Sequence, residues 1–133
     1  MGVTIADNQS VALKEKIKKY FWKTKPFMDV GCCPTKDVLA ATTDKWSMFV
    51  LFNLGYSNTL RFNQLKEKIN GISARMLTVT LKKLESNGLI ERKVFAEVPP
   101  RVEYSLTEFG AQFSERLVDF GDWFLDQYQT PPT

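Results

Sequence analysis

The stretch from Gly71 to Gly110 restricts what this chain can fold into more than any other part of it, because it holds a helical period, a stop, and a strand period in that order. Ser73 to Asn87, placed on a helix of about 100° per residue, gathers Leu77, Leu81 and Leu84 into one narrow arc, with Met76 and Thr80 flanking it. That arc is the buried face. The opposite arc carries Arg75, Thr78, Val79, Lys82 and Ser86. Ser73 is placed to accept from an otherwise unpaired backbone N–H as N-cap. Asn87, Gly88 and Leu89 supply a stop, with Gly88 able to turn left-handed and Leu89 able to fold back onto the last turn.

Beyond the stop, Ile90–Phe95 and Arg101–Leu106 read as strands, the second with Val102, Tyr104 and Leu106 alternating against Arg101, Glu103 and Ser105. Pro99 and Pro100 cannot donate ladder hydrogen bonds, so they belong to the tip between them. A two-stranded hairpin alone is marginal in water and needs helices behind it. Helix, stop, hairpin and helix is the layout of a winged helix-turn-helix, an α+β fold that is mostly α. On such a fold the polar arc suits a major groove, where Arg or Lys pairs with guanine edges and an apolar group meets a thymine methyl. The candidate DNA contacts are therefore Ser73, Arg75, Thr78, Val79 and Lys82, with Arg101 of the hairpin as a phosphate contact. Taken alone, the helix also fits the solvated amphipathic surface of any small domain.

The other segments fit around this centre. Phe62–Ile69 reads as the first helix of the helix-turn-helix, with Phe62, Leu65 and Ile69 inward and Lys66 and Lys68 available to phosphates. Val11–Lys23 spaces Leu13, Ile17 and Phe21 helically among five lysines, Thr35–Ala41 reads as a short helix, and Lys45–Leu54 as a strongly apolar one. Trp46, Phe49, Val50 and Leu51 are expected in the core; a pocket lined by Trp46, Phe49, Phe52 and Tyr104 is the more elaborate reading of the aromatics. At the C-terminal end, Phe109, Phe113, Leu117, Phe120 and Phe124 repeat at spacings of four, four, three and four, capped by Thr107 and followed by Pro131 and Pro132. Trp123, Leu125 and Tyr128 widen that stripe beyond what a two-stranded wing covers, which predicts a homodimer.

The chain has 133 residues and a net charge of +3, with two cysteines and no histidine. From Glu108 onward five acidic residues oppose one basic residue, a net of −4, so residues 1–107 carry +7. Positive charge sits with the expected reading head. The composition excludes a His-based metal site, a Cys-x-x-Cys knuckle and a Ser-His or Cys-His nucleophile pair, and there is no glycine-rich phosphate loop. No enzyme activity and no cofactor are expected. Residues 1–13 lack a basic segment followed by an apolar core, and Met48–Phe52 is too short to span a bilayer, so the expected compartment is the cytoplasm, away from membranes.

Several runs carry a resemblance: Arg61-Phe62-Asn63-Gln64-Leu65, Gly71-Ile72-Ser73-Ala74-Arg75-Met76-Leu77-Thr78, Leu81-Lys82-Lys83-Leu84-Glu85, and Glu97 through Thr107, with Cys33-Pro34 and Lys45-Trp46 upstream. Together, from about Cys33 to Trp123, they resemble the HxlR family of bacterial transcriptional regulators. The resemblance implies a homodimeric winged-helix regulator that binds double-stranded DNA, with helices from both chain ends forming the dimer interface. It also implies that the cysteine of the Cys-Pro pair, Cys33, responds to an electrophile or oxidant. One departure stands out, since Thr42-Thr43-Asp44 occupies the place where the family usually has Ile-Gly-Gly; Asp44 or Thr43 can cap the next helix there.

Cys32 and Cys33 themselves leave two readings open. Neighbouring Cα atoms lie about 3.8 Å apart, short of the roughly 4.4 to 6.8 Å of a bridged pair, so a mutual disulfide is disfavoured. Cys33 precedes a helix start and lies near Lys36, which favours its thiolate, while the simpler reading is two inert thiols. The expected organisation is one winged-helix domain, with an N-terminal arm and helix over residues 1–31, a core over 33–106 and a C-terminal dimerisation helix over 107–129. The expected function is a sequence-specific transcriptional regulator acting on a pseudo-palindromic operator. Its alternative is a winged-helix module that docks another protein without reading DNA.

Overall fold

The computed structural model describes residues 7–31 and 34–127. The expectations for Cys32, Cys33, Tyr128, Pro131 and Pro132 lie outside the described residues. The chain divides into two units, residues 1–37 and 38–133.

The first unit is dominated by α1 (Asp7–Met28), which runs past both ends of the expected Val11–Lys23 helix. Pro26 falls in its last turn, where the missing N–H costs a single bond, and the helix closes with Asp29 N–H on the Lys25 carbonyl at 3.0 Å. Leu13, Ile17, Tyr20, Phe21, Trp22, Phe27 and Met28 are all exposed on it. α2 (Pro34–Thr42) follows.

The second unit holds the core. Asp44 caps α3 (Lys45–Ser57) by accepting from Ser47 N–H at 3.0 Å, as the sequence allows. α3 is apolar nearly all round, but only the arc of Val50, Leu51 and Leu54 is buried in the core. Phe49 is therefore exposed, contrary to the expectation that it is core, and meets Trp46 edge-on at 6.3 Å between centroids. Trp46 and Phe52 are half-buried against the core.

β1 (Thr59–Leu60), too short to show a period, leads into α4 (Phe62–Lys68) and α5 (Ala74–Ser86). Leu65 and Ile69 are buried and Phe62 half-buried, as expected. On α5 the buried residues are Leu77, Thr80, Leu81 and Leu84. Ser73 caps the helix with its hydroxyl accepting from Met76 N–H at 3.0 Å. At the other end Gly88 takes φ 74°, its N–H bonds the Glu85 carbonyl at 3.0 Å, and Leu89 N–H bonds the Leu84 carbonyl at 3.0 Å. These are the paired bonds of a Schellman stop, and the buried Leu89 supplies its apolar contact.

β2 (Ile90–Phe95) and β3 (Arg101–Leu106) have the expected bounds. They pair antiparallel from Ile90 opposite Leu106 to Phe95 opposite Arg101, and β1 adds to the other edge of β3, giving the order β1-β3-β2. The fold is mostly helical with this small antiparallel sheet.

α6 (Glu108–Leu125) starts from a clamp on the α5 stop. The Thr107 hydroxyl donates to the Gly88 carbonyl at 2.6 Å and accepts from Gly110 N–H at 2.9 Å. Gly110 lies so close to the α5 stop that a Cβ would stand 1.8 Å from the Leu89 carbonyl oxygen. Only glycine fits. Phe113 and Leu117 pack against the core, whereas Phe109, Phe120, Trp123, Phe124 and Leu125 are exposed.

Candidate nucleic-acid interface

The outer face of α5 presents the expected residues. Arg75, Thr78, Val79, Lys82 and Ser86 are all exposed, Val79 to 51 %. They share a face because the leucine arc, Leu77, Leu81 and Leu84, faces the core and the helical repeat sends its complement outward. Arg75 and Lys82 form no ion pair among the described residues. The Thr78 hydroxyl donates back to the Ala74 carbonyl at 2.9 Å, leaving its methyl group and oxygen lone pairs outward. Ser73 is exposed at the helix N-terminus, with its oxygen engaged as the cap.

Lys83, the neighbour of Lys82, has a different task. Its Nζ reaches Asp44 Oδ2 at 2.7 Å, joining α5 to the start of α3. Asp44 also accepts from the Ser47 hydroxyl at 2.7 Å and from Ser47 N–H. Partial burial pushes the Asp44 carboxyl upward, but the bonds from Lys83 and Ser47 and the lysine charge outweigh it, holding its pKa at about 2. Sequence spacing points to the cap, which the run Thr42-Thr43-Asp44 advertises. It gives no signal for a partner 39 residues away.

A cleft of about 420 Å³ separates α5 from the hairpin, with Thr78, Lys82 and Glu85 on one side and Arg92 and Tyr104 on the other. Arg92 is exposed and unpaired among the described residues, while Lys93 lies 3.7 Å from Glu91. Lys66, in the last turn of α4, is also exposed. Lys82 and Arg92 thus flank one trough, a pairing of helix and wing that the sequence does not reveal, because it depends on how the hairpin folds back.

Arg101, expected as a phosphate contact, is engaged within the wing. Its guanidinium lies over the Phe95 ring at 4.1 Å and pairs with Glu97 at 3.4 Å and Glu103 at 3.3 Å, leaving the side chain 30 % exposed. Two carboxylates and an aromatic face surround its charge, so within the wing it braces the hairpin. The imagined pocket of Trp46, Phe49, Phe52 and Tyr104 is not assembled either, since Phe52 and Tyr104 line separate grooves.

A capped helix with a free basic face, a short helix before it and a three-stranded wing behind it define a winged helix-turn-helix transcriptional regulator. The HxlR-like helix-turn-helix model matches residues 41–131. The chain belongs to that family, whose members are transcriptional regulators and not enzymes. It is 42 % identical over 91 residues to YtfH of Escherichia coli (strain K12), described as an HTH-type transcriptional regulator, covering 68 % of this chain and 71 % of that one. Among solved structures it is similar to the redox regulator HypR in its oxidized form, with a TM-score of 0.63 and 33 % identity over 74 % of this chain and all of that one. Diamide-treated YodB from B. subtilis is likewise similar, with a TM-score of 0.63 and 31 % identity over 74 % of this chain and 97 % of that one.

Proposed function

We propose that this chain binds a specific, pseudo-palindromic operator in double-stranded DNA as a homodimer, in the cytoplasm. The observation that carries the reading is the free face of α5 beside the Lys82–Arg92 trough. Arg75 and Lys82 offer donors to guanine edges, Val79 and the Thr78 methyl offer apolar contact to thymine, and Ser73 lies at the N-terminal end of the reading helix. Lys66 and Arg92 contact phosphates on either side. Arg101 keeps the wing in shape.

Support for a second copy comes from exposed apolar side chains on α6, Phe109, Phe120, Trp123, Phe124 and Leu125, which water disfavours and a partner would cover. Two-fold symmetry then sets the reading helices about one DNA turn apart, roughly 34 Å. Among the described residues no helix is long and apolar enough to cross a membrane.

The signal we assign to this regulator is oxidation or alkylation of Cys33. Cys33 precedes Pro34, the first residue of α2, and two similar structures are those of the redox regulator HypR and of diamide-treated YodB. Selection of bound sequences from random DNA with the purified protein, repeated after diamide treatment, tests the whole reading. A symmetric enriched motif whose binding changes on oxidation, and no longer changes in Cys33→Ser, is the expected result. Absence of any enriched motif would instead favour a protein-docking role, and a diamide response persisting in Cys33→Ser would remove the assignment to that thiol.

A further inference from the structure

A second groove, of about 680 Å³, opens between α3, β3 and α6, and none of its lining residues belongs to the reading helix or to β2. Its size lies within the range of small-molecule sites, roughly 300 to 1,000 Å³. Leu51, Leu54, Leu106 and Val118 give it apolar walls.

Three features distinguish it from a chance depression. Gly55 sits inside α3, where glycine weakens a helix, and lines the groove without a side chain; a Cβ there would come into contact with Leu106 Cδ1 at 3.6 Å. Ser114, only 7 % exposed, lines the groove with a buried hydroxyl that has no hydrogen-bond partner among the described residues. Such a hydroxyl is costly to leave unmatched, and a ligand that bonds to it removes the cost. Glu115, next in sequence, is the one charged residue in the lining and has no ion-pair partner among the described residues.

On the α3 wall Phe52 is half-buried, and Tyr56 stands 90 % exposed at the rim. An uncompensated carboxylate, two aromatic rings and a hydroxyl lacking a donor together fit one ligand chemistry. We propose that this groove binds a small protonated amine with an aromatic body. Its ammonium group lies between Glu115 and Ser114, donating to the Ser114 oxygen after rotation about χ1, and its ring packs on Phe52 beneath Tyr56. The site stands independently of the DNA-reading proposal, because it shares no residue with that face.

The test uses NMR titration of the full-length protein with 4-phenylbutylamine and, as its neutral counterpart, 4-phenylbutanol. Saturable shifts centred on Gly55 and Ser114 are expected, with the amine binding about tenfold more tightly than the alcohol. Glu115→Gln should erase that preference. Ser114→Ala should weaken the amine severalfold while leaving the melting temperature unchanged or higher, since it removes an unmatched hydroxyl. Equal affinity for amine and alcohol, shifts centred elsewhere, or a preference that survives Glu115→Gln would overturn the proposal. So would a groove that accepts the amine only after dilution to monomer, which would assign it to a second copy of the chain.

Discussion

Replacing Asp44 by Asn removes one charge and leaves the cap, because Asn serves as well as Asp at that position. What it deletes is the ion pair with Lys83, the link at 2.7 Å between the start of α3 and the reading helix. The Asp44 carboxyl falls from 3.8 to about 2 on folding, and at about 1.36 kcal/mol per pKa unit that sets a ceiling of about 2.5 kcal/mol. The two side chains are 38 % and 34 % exposed, so solvent screening reduces the expected loss in Asp44→Asn to about 1 kcal/mol at neutral pH. A depressed carboxylate stabilises the fold above its unfolded pKa and loses that contribution as pH falls through its folded one. The difference between wild type and Asp44→Asn should therefore be constant above about pH 5 and shrink between about pH 4 and 2. Urea unfolding followed by circular dichroism, at closely spaced pH values and in low and high salt, measures it. A double cycle with Lys83→Met should return most of the loss as coupling. If Asp44→Asn matches wild type at pH 7, or its deficit persists undiminished at pH 2, the ion pair is not what holds these two helices together.

Gly110→Ala forces a Cβ to 1.8 Å from the Leu89 carbonyl oxygen, so the clamp between α6 and the α5 stop must open; a loss of roughly 1 to 3 kcal/mol in urea unfolding is expected despite the better helix propensity of alanine. Ser73→Ala removes the cap bond to Met76 N–H and should cost about 1 kcal/mol, measured the same way, with DNA affinity falling in proportion to the frayed first turn. Arg92→Ala should lower the slope of log affinity against log salt by about one, whereas Arg101→Ala should leave the slope unchanged and speed amide exchange in β2 and β3. Phe124→Glu, which places a charge within the exposed apolar stripe of α6, should shift the protein to monomer in sedimentation at micromolar concentration.

Much of this protein is legible along the chain. The bounds of both wing strands, the Ser73 and Thr107 caps, the Asn87-Gly88-Leu89 stop and the outward face of α5 all follow from contacts within a few residues, where periodicity and side-chain chemistry act directly. The extension of α1 through Pro26 and the two-residue β1 escape such reading for opposite reasons: the first breaks a usual rule at a helix end, where it is cheap, and the second is too short to carry a pattern.

Periodicity along the chain sets the helices and both wing strands, the leucine face that is buried and the basic face left outside, because these depend on 3.6-residue and two-residue periods. What each cation does depends instead on how distant segments pack. Lys83 turns to Asp44 and Arg101 to Phe95, Glu97 and Glu103, while Lys82 and Arg92 converge across a trough, and Phe49 falls outside the core that Val50 and Leu51 enter. Charges and aromatics act over distances set by the packing of remote segments, and a one-dimensional pattern does not encode which of them arrive at the same place.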